Sequence, residues 1–131
     1  MHNPPMTSPR LAWVAAAAAA LAFAAAGCNG ATDDRPARWS FISTTIMEPS
    51  CATVNCHSAI THQGGVDLSA RQVGYQSLVP TFFVFPGDPQ NSPVVNLMNA
   101  QGSIRMPPDN PLPEADIVLI EKWIADGAHN D

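Results

Sequence analysis

An unbroken apolar run, Leu11 to Gly27, divides this chain and limits what can follow it. Ahead of it lies a polar lead, MHNPPMTSPR, ending in the basic residue Arg10. A short charged lead, an apolar stretch and small residues at its close describe a secretory signal, removed from the folded protein. The run is slightly short for a membrane-spanning helix, which makes an uncleaved anchor the lesser alternative. About a hundred of the 131 residues are then left to fold. That suffices for one small domain and not for two. So small a core is marginal without a staple or a cofactor.

Periodicity in the remaining chain is helical. Trp39, Ile42 and Ile46 recur at three- and four-residue steps and predict a short helix, although β-branched Thr44 and Thr45 also allow a strand. Pro49 should end that segment. Ser69 is placed to cap a helix through Val73 and Leu78, and Ser92-Pro93 to open one through Val94 and Met98. The segment TFFVFPGDP reads as a short strand or as a loop folded on an apolar ligand. The clearest element is the last helix, with Ile117, Ile120 and Ile124 on one face, widened by Leu119 and Trp123, and Gly127 as its stop. Between these lie long loops such as GSIRMPPDNPLP, whose four prolines stiffen the backbone. The expectation is an all-α domain of three to five helices with long Pro/Gly loops.

Chemistry concentrates in Cys51-Ala-Thr-Val-Asn-Cys56-His57. Outside the cytoplasm two nearby thiols rarely stay free; they are bridged, metal-bound or alkylated by a cofactor. Covalent attachment of haem c needs two thiols for the vinyl groups and an imidazole for the iron. A histidine directly after the second cysteine supplies all three from one short turn. The usual spacing puts two residues between the cysteines. Here there are four, and the extra ones must bulge outward if both sulfurs are to reach one ring.

The layout resembles the class I c-type cytochromes, in the CxxxxCH variant. The attachment segment follows a first helix, and a Pro-containing loop, Arg105-Met106-Pro107-Pro108, precedes the last one. The segments GGVDLS, PGDP and WIADGA look like the small cytochrome c-like domains of bacterial lipoproteins. The resemblance covers roughly residues 39–128. It implies thioether bonds from Cys51 and Cys56, axial ligation of the iron by His57 and Met106, and an aromatic role for Trp123 where the terminal helices meet. A thioether ligand favours ferrous iron and raises the potential relative to two histidines. Trp39, Ile42, Phe82, Phe83, Leu97 and Ile120 are the residues expected to bury the ring. The implied function is single-electron exchange with a redox partner protein, with no bond-making residues and hence no enzyme activity.

At the other end, Ala25-Ala26-Gly27-Cys28 resembles the bacterial lipobox, with Ala25 where leucine is usual. The resemblance implies cleavage before Cys28 and a lipid on its thiol, holding the protein to a membrane without a span. An ordinary signal peptide, cut nearby and leaving Cys28 free, is the alternative. The expected organisation is a lipoprotein signal peptide over 1–27, a flexible polar tether over 28–37 and the haem domain over 38–131. The product would be exported and would face the periplasm or the cell surface.

Other readings stay open at this point. Cys51 and Cys56 can instead form a disulfide, making the chain a haem-free surface lipoprotein that serves as a binding module. Cys51, Cys56, His57 and His62 also count to four zinc donors, but adjacent Cys56 and His57 strain a tetrahedral site. Met106 can be a core filler, with His62, His129 or an open position in its place. An open position would point to peroxide or gas chemistry. Past Gly27 lie all eleven acidic residues and five of the six basic ones, a net charge near −6 with neutral histidines. That balance argues against nucleic acid as a partner.

Overall fold

The computed structural model describes residues 33–131; the apolar run, Cys28 and the start of the 28–37 tether lie outside them. Among the described residues there is no strand, and the chain is carried by helices and short 3-10 turns. This is the all-α class expected from the sequence. No helix among the described residues is long and apolar enough to cross a membrane.

The first helix, α1, runs from Trp39 to Cys51, through Pro49 rather than up to it. Trp39–Ile42 and Glu48–Cys51 are α-helical, and Ser43–Met47 between them is π-helical. In a π turn each N–H reaches back five residues instead of four. The Glu48 amide accordingly donates to the Ser43 carbonyl and the Ala52 amide to that of Met47. Pro49 follows this widened turn, in the first turn of the last α-helical piece. It needs no N–H partner there, and its ring escapes the crowding it would meet in a tighter helix. The Thr44 and Thr45 hydroxyls turn back to the Ser40 and Phe41 carbonyls, at 3.0 and 2.7 Å. That satisfies acceptors disturbed by the wide turn. Trp39, Ile42, Ile46 and Met47 form the buried face.

Helix α2 spans Arg71–Leu78, α3 spans Pro93–Asn99 and α4 spans Glu114–Ala125. Helix α1 packs on α2 and α4, and α3 packs on α4. The crossing of α1 and α4 is built on two indoles. Trp39 and Trp123 stack with ring centroids 4.9 Å apart and an interplanar angle of 27°. Each indole N–H is satisfied by a backbone carbonyl, Trp39 by Arg71 at 2.8 Å and Trp123 by His129 at 3.0 Å. Tyr75 meets Trp39 edge-on at 6.2 Å and donates its hydroxyl to the Ala128 carbonyl at 3.0 Å. Gly127 ends α4 at φ +106°. The Ala128 amide reaches the Trp123 carbonyl and the Gly127 amide that of Ile124, the paired bonds of a Schellman stop. Asp126 opposes the helix dipole, and Lys122 one turn back pairs with it at 2.8 Å.

Gly74 lets α2 lie directly on Trp39. A Cβ at this position would sit 3.1 Å from Cζ2 of an indole that is fully buried and stacked on the far side. We expect Gly74→Val to lower stability by about 1–3 kcal/mol through overpacking. A urea melt of the purified chain reads this directly.

The helix starts differ from expectation. Ser69 does not cap α2; its hydroxyl and amide both bond the Asp67 carboxylate, at 2.6 and 2.9 Å. Ser92 precedes α3 but makes no side-chain cap. Its buried hydroxyl instead donates to the Asp88 carbonyl and accepts from the Phe85 amide, closing the PGDP turn. The segment 81–85 is a run of turns, not a strand.

Two carboxylates are held below the ordinary aspartate range. Asp67 is held there first by the Ser69 hydroxyl, then by the Ser69 amide, with His62 adding a smaller pull. Asp131 is held there first by the Ser40 amide on α1. A depressed folded-state pKa contributes stability that is complete above the unfolded value, near 3.9, and is lost as pH falls through the folded values. The urea midpoint should therefore hold steady from pH 7 to about 5 and fall on acidification below about 4.

Candidate functional site

The attachment segment starts where α1 stops. Cys51 is the last residue of the helix, and the chain then loops through Thr53, Val54 and Asn55, all exposed. The Cys56 amide closes a turn on the Thr53 carbonyl at 2.9 Å. The His57 amide then returns to the Cys51 carbonyl at 3.1 Å. Three of the four residues between the cysteines thus project to solvent, while Ala52 packs against the core and both thiols and the imidazole stay at one place. Ser58, buried behind the loop, holds it shut. Its hydroxyl donates to the Val54 carbonyl at 3.2 Å and accepts the Ile60 and Thr61 amides.

Cys51, Cys56 and His57 line one side of a cleft of about 260 Å³. Met106, Pro107 and Pro108 line it from the late loop, and Phe83, Leu97 and Met98 from α3 and the turn before it. The four residues singled out in the sequence therefore share one cavity. No Asp, Glu, Lys or Arg is among its lining residues, and its walls are almost wholly apolar. Such a space suits a flat hydrophobic ligand held by a few convergent polar atoms.

Nδ1 of His57 is buried with no hydrogen-bond partner. An orphaned buried polar atom costs about 1–3 kcal/mol, and native proteins seldom keep one without a reason. Cys51 and Cys56 are not joined to each other. Burial, with a smaller push from Cys56, raises the Cys51 thiol to about 11. At neutral pH this thiol is protonated and slow in disulfide exchange, which proceeds through the thiolate. Its sulfur lies 4.0 Å from that of Met47.

Several expected lining residues are elsewhere. Phe83 and Leu97 do line the cleft, but Trp39, Ile42 and Ile120 do not. All three are fully buried in the helix core. Phe82 turns outward at φ +66° with 71% of its surface exposed. In their place the wall uses Met47, Val66, Leu68, Leu78, Val94 and Met98. Met47 was reachable as the neighbour of Ile46 on the apolar face of α1, while Val66 and Leu68 sit in a loop with no period to read. His62 pairs with Asp67 at 3.2 Å, and neither it nor His129 lines the cleft. No group of three or more His, Cys, Asp or Glu among the described residues is placed to hold a metal ion, which leaves the four-donor zinc arrangement without a site.

Residues 54–110 match the family described as Planctomycete cytochrome C. The matched stretch takes in Cys56, His57 and Met106 and begins after Cys51. The match supports a cytochrome c-like, haem-binding electron-transfer domain. No curated protein and no solved structure matches the chain.

Haem fits the residues present. The cleft is apolar, and it gathers two thiols, three thioethers and one imidazole. This donor set suits haem c attachment and ligation.

Proposed function

We propose that the chain is an electron-transfer protein with one covalently bound haem c. Cys51 and Cys56 would hold it through thioether bonds, and His57 and Met106 would ligate its iron. The observation that supports this most is the convergence of those four side chains on one apolar cleft.

When bound, haem supplies a one-electron couple at iron. The residues of the chain set its terms. His57 is fixed through its own backbone, whose amide bonds Cys51 and whose carbonyl accepts from Leu68 at 2.8 Å. Met106 is fixed by its amide, which donates to the Leu97 carbonyl at 3.0 Å. With both His57 and Met106 on the iron no position would be left for a substrate, and the reading assigns the chain no catalytic residue. The apolar walls exclude water and favour the less charged, reduced state.

Anchoring belongs to the same reading. Cys28 carries the lipid, residues 28–37 space the domain from the membrane, and the protein faces the periplasm or cell surface. Its partner is another redox protein, and its acidic balance suits a basic docking face.

A pyridine haemochrome spectrum and a denatured mass, both on cell-derived protein, test the reading. The expected result is a polypeptide heavier by one haem, with the spectrum of a ring attached through two thioethers. A colourless protein with Cys51 bonded to Cys56 would replace it with the haem-free binding module.

A further inference from the structure

We infer that Arg105 is a positioning residue, holding Met106 at the cleft. This rests on the reading of Met106 as an iron ligand. The difficulty Arg105 solves is visible in the backbone. Residues 107–113 are PPDNPLP, and no backbone amide from Pro107 to Pro113 donates a bond to another backbone group. Prolines have no N–H to give. Backbone bonds tie the loop before Pro107, by the Arg105 amide to Gly102 and the Met106 amide to Leu97, and again at Pro113, whose carbonyl accepts the Asp116 and Ile117 amides.

The guanidinium supplies a tie in the stretch directly after Met106. Nε of Arg105 donates to the Pro107 carbonyl at 3.4 Å, and a terminal nitrogen donates to the Pro108 carbonyl at 2.9 Å. The side chain folds over Met106 and fastens the two residues that follow it. Among the described residues no carboxylate lies within ion-pair distance of Arg105. Both of the guanidinium's hydrogen bonds to the described residues go to this loop. A planar fork with five N–H groups in fixed geometry can hold two neighbouring carbonyls at once. A lysine ammonium carries the same charge on a flexible stem and lacks that fork.

A sulfur ligand on a loosened loop leaves the iron more often and admits other ligands. The test compares wild type, Arg105→Gln, Arg105→Lys and Met106→Ala as haem-loaded proteins. The readouts are the rate of imidazole binding to ferric iron, followed by absorbance, and amide exchange at Met106. Haem content and far-UV circular dichroism serve as controls. We expect Arg105→Gln to bind imidazole at least about tenfold faster, a change of ~1.4 kcal/mol in the holding of the loop. Met106 amide exchange should quicken with it. Arg105→Lys should recover less than half of the effect, with haem content unchanged in both. Wild-type rates in Arg105→Gln, alongside fast binding in Met106→Ala, would overturn this role and leave the ligand reading intact. Full recovery in Arg105→Lys would show that charge rather than the fork matters, and would also overturn it. If Met106→Ala itself behaves as wild type, both readings fall together.

Discussion

His57→Ala will strip the protein of haem without unfolding the haem-free chain. The two halves of this result have different causes. In the proposed holoprotein the imidazole is the iron ligand from the attachment side. Its loss should cut haem per polypeptide by more than about tenfold, since even outer-shell changes cost 10–100-fold at metal sites. In the haem-free chain the same ring carries a buried nitrogen with no partner. Removing it relieves about 1–3 kcal/mol of desolvation, against a comparable loss of packed surface. The haem-free melt should therefore move little. Haem absorbance per mole of polypeptide and a urea melt of haem-free material measure the two separately. Normal haem content in the variant would count decisively against His57 as ligand.

The second large effect lies outside the cleft. Trp123→Ala should destabilise the fold by about 3–5 kcal/mol, the usual cost of truncating a buried aromatic. Small domains have only about 5–15 kcal/mol in total. Three contributions go at once: the stack on Trp39, the bond to the His129 carbonyl, and the wall that Trp39 needs to hold its place between α4 and Gly74. Trp123→Phe keeps an aromatic face but cannot donate to His129, and it should cost less than half as much. Urea melts of the two variants give the comparison. Because haem bound to the folded state adds its own stabilisation, the melts belong on haem-free protein.

Much of this arrangement was legible in the sequence, and the failures have specific causes. The helices α1 and α4 showed through the spacing of Trp39, Ile42, Ile46, Ile117, Ile120 and Ile124, all of them buried. Cys51, Cys56 and His57 were chosen on chemistry and spacing and Met106 through the resemblance to c-type cytochromes, and the fold brings all four to one cleft. The walls of that cleft were harder. A helical period shows which face is apolar, but not whether that face meets another helix or a ligand. Trp39, Ile42 and Ile120 were assigned to the ring for that reason, and they pack in the core between helices instead. The end of α1 was misjudged because a proline penalty assumes four-residue bonding, and Ser43–Met47 does not follow it. Ser69 and Ser92 were read as caps, since a hydroxyl before a helix usually serves its amides. Both found nearer partners in loop groups, Asp67 and Asp88.

The wide turn in α1 also has a geometric outcome. Each residue of an α-helix advances the azimuth by about 100°, so lodging one more in a turn rephases everything downstream. Upstream of Ser43–Met47 the inward residues are Trp39 and Ile42; at its end Met47, and beyond it Ser50 and Cys51, look into the cleft. One continuous run of helical residues thereby serves two compartments. Deleting a single residue within 43–47 would swing the first thiol roughly a quarter-turn off its bearing while leaving the indole pair untouched.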